Sequence, residues 1–366
     1  ASGQGPADHV FDASHGAAGP CVDLSPGKRG EAELDADVND IHRLARIEAE
    51  ANGQWKASAY EMWSGMSVGD LAPALGTEIA PLRLGLRKVA RPSPGSIPFG
   101  AVVMPPSFDP RRRWPQCESI QRVRNQGKCG SCWAFAATGV LADRFCIAEA
   151  RGNHTLQSHD LSLSPQHLVE CDPTNAGCSG GRLDDAWWFL RDQGVAVEAC
   201  SPYRHCPSPR ERHCGFGKNE SLSNATKPRT GVHECSRRCL SGAPQRLYRA
   251  STAYAVSAPG DVEGLQHELL THGSVEVGFF VFSDFHSYED GVYFRTPSAF
   301  GPLGGHAVRL LGWGTVNASD YWLLANSWSD AWGQRGFFLF KRGTNECGIE
   351  TTPAAGLPML GVGVAA

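Results

Sequence analysis

The segment Gln126-Gly-Lys-Cys-Gly-Ser-Cys-Trp-Ala-Phe135 decides the fold prediction, because it places two cysteines at the start of a strong helical pattern. Apolar residues recur at helical spacing after it and predict a helix from about Ser131 to Ala150. Cys132 would lie in the first turn, where free N–H groups and the helix dipole stabilise a thiolate. Spacing alone fits a disulfide partner equally well. A redox or zinc Cys129-x-x-Cys132 motif is a third interpretation, but no second ligand pair and no neighbouring βαβ pattern accompany it.

The composition excludes several classes of function. The chain has 366 residues, which is enough for two domains or one large one, and its net charge of −4 is no electrostatic signature of nucleic-acid binding. No apolar run approaches the roughly 18 residues of a membrane span. Thirteen cysteines, an odd number, indicate an oxidising compartment and at least one free thiol. Four glycosylation sequons agree with export: Asn153, Asn219, Asn224 and Asn317.

The chain divides into an acidic leader with one cysteine, over residues 1–103, and a neutral body with twelve, over residues 104–366. Within the leader we expect residues 1–34 to be disordered, residues 37–50 to be helical after Asp35 and Asp37, a short helix to start at Ser67, and residues 92–98 to be a linker. The body should contain a disulfide-stapled loop at about 200–245. Five antiparallel strands should follow it, at 274–282, 291–295, 306–313, 321–325 and 336–341. A helical half followed by a β-rich half predicts an α+β fold.

The sequence around His306 and Asn326 indicates that these two residues assist a thiolate. Gly304-Gly305-His306-Ala307 opens an apolar strand, which would hold the imidazole rigidly, and histidine is the usual general base. Asn326 ends the next predicted strand, where its amide oxygen would accept the imidazole N–H and fix its tautomer. Taken alone, Asn326 is more simply an ordinary turn asparagine.

Three segments, CGSCWAF at 129–135, GGHAVRLLGWG at 304–314 and YWLLANSWSDAWG at 321–333, together resemble the papain-like cysteine peptidases. MPPSFDPRRRWPQC at 104–117 and NECGIE at 345–350 are similar to the cathepsin B-like subfamily, and GQWKASAYEMWSG at 53–65 is similar to its propeptide. The resemblance spans roughly residues 50–352. It implies a propeptide followed by a papain-like two-domain fold, with a helical left domain, an antiparallel β-barrel-like right domain and the active-site cleft between them.

The resemblance also implies the catalytic roles. Cys132 would attack the scissile carbonyl, His306 would shuttle the proton and Asn326 would orient His306. The side chain of Gln126 and the backbone N–H of Cys132 would stabilise the oxyanion. Trp328 would shield the His306–Asn326 contact from water, although plain core packing is an equally good interpretation of this tryptophan. No metal and no organic cofactor are implied.

The resemblance further implies how substrates bind. The Gly180-Gly181 backbone would pair with an extended peptide by strand addition. The second subsite would be lined by Leu183, Gly278, Ala307 and Thr352. Cathepsin B-like peptidases carry an acidic residue where Thr352 lies, so this departure favours apolar side chains over arginine.

A second departure concerns the loop that gives cathepsin B-like enzymes peptidyl-dipeptidase activity through an adjacent histidine pair. Here residues 206–214 contain no such pair, so we expect mainly endopeptidase activity. The partners implied are peptide and protein substrates, the chain's own propeptide as an intramolecular inhibitor released at acid pH, and cystatin-type inhibitors. A lysosomal, vacuolar or secreted location follows from the same resemblance.

The resemblance also sorts the cysteines. It implies five disulfides, and the pairs are Cys117–Cys146, Cys129–Cys178, Cys171–Cys235, Cys200–Cys239 and Cys206–Cys214. Cys132 would be the reactive thiol, Cys347 a buried spectator, and Cys21 would leave with the leader. Two alternative functions are compatible with the same fold or the same residues: a non-catalytic binding protein and a thiol acyltransferase. A non-catalytic binding protein usually lacks the nucleophile, and a thiol acyltransferase shares the acyl-enzyme but uses another acceptor.

Overall fold

The computed structural model describes residues 29–86, 104–152, 159–204 and 235–360. The leader contains α1 (Arg29–Leu34), α2 (Ile41–Ala51), β1 (Trp55–Ala57) and α3 (Val68–Leu71), with 3₁₀ turns at Glu61–Trp63 and Ala72–Ala74. The expectation of disorder throughout 1–34 is therefore wrong for its last six residues, which form α1. The predicted linker at 92–98 lies outside the described residues.

Helix α2 begins four residues later than predicted, because the capping residue is Asp40 and not Asp35 or Asp37. The Asp40 carboxylate accepts the backbone N–H of Arg43, and Asn52 ends the helix in the left-handed conformation. The short helix predicted at Ser67 is confirmed, since Ser67 and Asp70 form a reciprocal capping box.

The body's central helix, α6 (Cys132–Arg151), confirms the prediction to within a residue. It is buried on almost every side, so it is a core element and not a surface helix with one apolar stripe. Two buried ion pairs fix it: Asp143 accepts from Arg309 at 2.8 Å, and Arg144 lies 2.9 Å from Glu268. The other helices of the body are α4 (Pro110–Arg113), α5 (Glu118–Gln121), α7 (Pro165–Cys171), α8 (Leu183–Asp192) and α9 (Val262–His272).

The second half of the chain forms most of an eight-stranded sheet with the order β1-β4-β7-β6-β5-β3-β8-β2. Its strands after β1 are β2 (Tyr254–Ala255), β3 (Val275–Val281), β4 (Tyr288–Tyr293), β5 (Gly304–Val316), β6 (Ser319–Ala325), β7 (Phe337–Lys341) and β8 (Ala354–Ala355). The pairs are antiparallel except β4 with β7, which corrects the expectation of a purely antiparallel sheet. The α+β fold is confirmed, and the leader contributes the edge strand β1.

The structure contains four disulfides among the described residues, namely Cys117–Cys146, Cys129–Cys178, Cys171–Cys235 and Cys200–Cys239. The fifth implied pair, Cys206–Cys214, lies outside the described residues, as do Cys21, Asn153, Asn219 and Asn224. Asn317 is exposed in the turn between β5 and β6. Cys132 and Cys347 are buried and belong to none of these four disulfides. Within the described ranges no helix has the length and apolarity that crossing a bilayer requires.

Candidate active site

Cys132 is the first residue of α6 and is fully buried. The hydroxyl of the leader residue Thr77 lies 3.0 Å from its Sγ. Burial raises the pKa of the Cys132 thiol, although hydrogen bonds from Thr77 and from backbone N–H groups, including that of Ala307, oppose the rise. With the leader in place, the direction of the pKa change is thus opposite to the lowering expected at a helix terminus, because desolvation outweighs these hydrogen bonds.

His306 lies in β5, next to Ala307, and its Nε2 is 2.8 Å from Oδ1 of Asn326. The same Oδ1 accepts the backbone N–H of Ser327, which fixes the orientation of the amide. Because an amide oxygen only accepts, Nε2 carries the proton and Nδ1 is the basic nitrogen. Among the described residues, Nδ1 has no hydrogen-bond partner. Burial lowers the pKa of His306 to about 4.

Trp328 stacks on the His306 ring at a centroid distance of 4.7 Å and is itself buried. His286 stacks on Trp328 as well, at 4.9 Å and almost parallel. These aromatic contacts exclude water from the imidazole–amide pair and leave the imidazole little freedom to rotate.

The side chain of Gln126 is fully buried and held at both ends. Its Oε1 accepts the Ser327 hydroxyl at 2.6 Å, which identifies the other terminal atom of the side chain as the amide nitrogen, a donor. That nitrogen donates to the carbonyl of Cys129 and to the carbonyl of the leader residue Ala74, both at 2.8 Å. A leader carbonyl thus takes the hydrogen bond that the resemblance assigns to the oxyanion.

The leader crosses the Gly180–Gly181 edge as an extended segment. Gly181 donates to the carbonyl of Gly76 at 2.8 Å and accepts from Glu78 N–H at 3.0 Å, with Thr77 paired in parallel to Gly181. A Cβ on Gly180 would lie 2.8 Å from the Gly76 carbonyl oxygen, so the close approach of the two backbones requires glycine.

Two of the residues predicted for the second subsite, Gly278 and Thr352, lie next to the leader residue Ile79. A Cβ on Gly278 would lie 2.7 Å from Cδ1 of Ile79 and 3.4 Å from Oγ1 of Thr352. Leu183 and Ala307 are buried in the same apolar cluster as Cys132. The structure thus brings the predicted substrate-binding residues together with the predicted catalytic ones, beneath the leader.

Several contacts of this site were missed by the sequence reasoning. Gly76, Thr77 and Ile79 carry no motif, and their role is visible only once the leader is seen lying on the site. His286 is one of 13 histidines, and its loop context gave no signal.

One group of potential metal ligands occurs among the described residues, formed by His167, Cys171 and Cys235. The two cysteines are joined in a disulfide, and Nδ1 of His167 accepts the backbone N–H of Ala196 at 3.0 Å. The group therefore offers no metal site while the disulfide is intact.

Comparison with known proteins agrees with this geometry. The profile of the family described as "Papain family cysteine protease" matches residues 104–357. Cathepsin B-like cysteine proteinase 4 of Caenorhabditis elegans is 41% identical over 272 residues, 70% of this chain and 76% of the relative. Cathepsin B of Dictyostelium discoideum is 38% identical over 267 residues, with 71% and 76% covered. The solved procathepsin B S9 of Trypanosoma congolense superimposes with a TM-score of 0.73 at 28% identity, covering 88% of this chain and all of that one.

Proposed function

The chain belongs to the papain family of cysteine proteases and is a cathepsin B-like cysteine peptidase, and from this we propose that Cys132, His306, Asn326 and Gln126 are its catalytic residues. The observation that carries the proposal is the 2.8 Å contact between Nε2 of His306 and Oδ1 of Asn326. This contact leaves Nδ1 of His306 as the base. The next residue in the chain, Ala307, donates its backbone N–H to the Cys132 thiol.

In the proposed reaction, Nδ1 of His306 takes the Cys132 thiol proton, and the thiolate attacks the carbonyl carbon of the scissile peptide bond. The tetrahedral oxyanion accepts hydrogen bonds from the Gln126 amide and the Cys132 backbone N–H. The imidazolium then protonates the departing amine, which leaves a thioester on Cys132. Water, deprotonated by His306, hydrolyses the thioester and restores the thiol.

We propose that the leader, over residues 1–103, is an inhibitory propeptide of the peptidase domain at 104–366. Its support is the number of functional groups that the leader occupies. The Thr77 hydroxyl contacts the Cys132 thiol, and the Ala74 carbonyl accepts a hydrogen bond from the Gln126 amide. Ile79 occupies the second subsite. A substrate needs all three places, so it is excluded until the leader leaves.

We propose an endopeptidase that prefers apolar side chains in the second subsite. The apolar Ile79 in that subsite, beside Thr352 in place of an acid, supports this preference. The loop over residues 206–214 lies outside the described residues, so the case against dipeptide trimming rests on its sequence. Export to a lysosomal or extracellular compartment is supported by the disulfides, and glycosylation by the exposed Asn317. Cystatin-type inhibitors remain a proposal from the resemblance.

The proposal is tested by acid treatment of the full chain followed by assay with a dipeptide substrate that releases a fluorophore. Release that a peptidyl epoxide blocks is expected from the wild-type chain and absent from Cys132→Ala. Release by the Cys132→Ala variant would overturn the mechanism, and no release by either would favour a non-catalytic relative. An internally quenched peptide with a free or an amidated C-terminus should be cleaved at similar rates, whereas strong preference for the free acid would contradict the endopeptidase assignment.

A further inference from the structure

The leader residue Arg83 is bound in a defined site on helix α8. Its Nε lies 2.9 Å from Oδ2 of Asp184 and its Nη2 lies 2.5 Å from Oδ1 of Asp185. The guanidinium also lies over the ring of Trp188, 4.9 Å from the centroid. Two carboxylates and an aromatic face are the groups that proteins use to recognise arginine, because they match its planar fork of donors and its flat cation.

All of these recognition groups belong to the body, so the site does not depend on the leader for its construction. Asp184 and Asp185 lie in the first turn of α8, and Trp188 lies one turn further along the same helix. Burial alone would raise the pKa of Asp184, but hydrogen bonds from Arg83 and Arg182 outweigh it and lower the pKa to about 2. Arg182 lies 3.0 Å from Asp184 but 4.0 Å from Asp185, so a single cation of the body faces two carboxylates.

The site continues the substrate path away from the nucleophile. Along the leader, Thr77 lies at Cys132, Ile79 lies in the second subsite, and Arg83 follows beyond it. Leu183, which was predicted to line the second subsite, immediately precedes Asp184 in the chain. The second-subsite side chain of a substrate precedes the scissile bond, so a substrate runs towards Cys132 in the direction opposite to the leader. It therefore passes this site with the residues that precede its second-subsite side chain.

We propose that departure of the leader opens a guanidinium-binding subsite formed by Asp184, Asp185 and Trp188. It receives an arginine located between the third and the sixth residue to the N-terminal side of the scissile bond, because Arg83 lies four positions beyond Ile79 along the leader. The inference rests on the proposed peptidase function and deepens it, because it assigns a basic preference outside the apolar second subsite. Arginine is favoured over lysine, since only the guanidinium bridges two carboxylates while stacking on an indole.

The effect should be modest, because the guanidinium of Arg83 is about half exposed, at 52% of its side-chain surface. An exposed ion pair together with a cation–π contact corresponds to roughly a fivefold gain in kcat/KM. Solvent ions screen the carboxylates, so the gain should shrink as salt is raised.

The test uses the acid-activated full chain and quenched peptides that differ at one position, arginine against its neutral isostere citrulline, placed in turn at the third, fourth, fifth or sixth position before the cleaved bond. We expect arginine to raise kcat/KM roughly fivefold at one of these positions. We expect Asp185→Asn to remove the gain, so that the variant cleaves the arginine and citrulline peptides at equal rates. The matched control is Asp192→Asn, an exposed acid at the other end of α8 that pairs with Arg191 and should keep the gain.

Equal cleavage of the arginine and citrulline peptides at all four positions would overturn the subsite while leaving the peptidase function intact. A gain that persists in Asp185→Asn would also overturn it, since the arginine would then be bound elsewhere. If neither peptide is cleaved at all, the proposed function fails and the subsite fails with it.

Discussion

We predict that His286 makes the attachment of the leader sensitive to pH. Its ring is fully buried between Trp328, stacked at 4.9 Å, and the leader residue Trp63, edge-on at 5.5 Å. Neither ring nitrogen has a hydrogen-bond partner among the described residues. Burial, and then the charges of the leader residue Arg43 and of His306, lower the pKa of His286 to about 3.

The sign and size of the effect follow from proton linkage. An imidazole freed from the leader has an ordinary pKa of about 6.5, so the closed chain binds fewer protons than the open one. The stabilisation of the closed form is complete above pH 6.5 and is lost as the pH falls from about 6.5 towards 3. Between pH 7.5 and pH 5, the loss through His286 is about 2 kcal/mol, or about 30-fold in the opening equilibrium. His306, with its pKa of about 4, contributes a similar loss.

The perturbation is His286→Leu in the full-length chain, which removes the titrating group and leaves an apolar side chain in the buried site. The assay is the rate at which a fluorescent peptidyl epoxide labels the unprocessed chain, followed as the full-length band. Dividing the labelling rate of the wild type by that of the variant at each pH cancels the intrinsic pH dependence of the labelling reaction. We expect this ratio to rise about 30-fold between pH 7.5 and pH 5.

The matched control is His167→Asn. His167 is also buried, with a pKa lowered to about 4, but it bonds to Ala196 within the body, and the asparagine oxygen can replace its Nδ1 as the acceptor. We expect the labelling rate of the His167→Asn variant to change with pH in the same way as that of the wild type. A ratio for His286→Leu that stays constant within twofold would refute the argument, because it would mean that His286 does not change its protonation when the leader opens.

Three further predictions concern the leader and the catalytic pair. In Gly76→Ala the new Cβ would lie 1.8 Å from the backbone oxygen of Gly130, so we expect leader docking to weaken by about 1–3 kcal/mol and epoxide labelling at pH 7.5 to rise about 5- to 150-fold. Labelling at the wild-type rate would contradict the close packing. Thr77→Val keeps the shape but removes a hydroxyl, and we expect a labelling increase of about five-fold, with no change in the activity of the acid-processed enzyme. Asn326→Ala should lower kcat of the processed enzyme by roughly 10²-fold, because His306 loses the acceptor that fixes its tautomer; unchanged kcat would remove Asn326 from the mechanism.

The sequence predicts those parts of the molecule that depend on local pattern. Helix α6 and the capping box at Ser67 are encoded within a few residues, so their positions were predictable. The start of α2 was missed because three aspartates compete for the cap, and only the structure shows that Asp40 takes it. The parallel pairing of β4 with β7 joins strands that are not consecutive, and no local pattern specifies such a neighbour.

The chemistry of the site was only partly predictable for a similar reason. The identities of Cys132, His306 and Asn326 follow from motifs, but their protonation depends on what covers them. The cover is a leader segment 55 residues before the nucleophile, and Thr77 in it carries no motif of its own. The guanidinium site on α8 likewise required knowing that Arg83 reaches Asp184 across about a hundred residues of sequence.

Strand β1 of the leader pairs with β4 at the margin of the body's sheet, with Trp55 opposite Gly291 and Lys56 opposite Asp290. When the leader leaves, β4 becomes an edge strand with an unpaired row of backbone donors and acceptors, the kind of surface through which proteins aggregate. The sequence at that edge opposes aggregation, because Glu289 and Asp290 are adjacent and exposed in β4. Two like charges side by side repel the same edge of a second molecule and so oppose edge-to-edge pairing through β4.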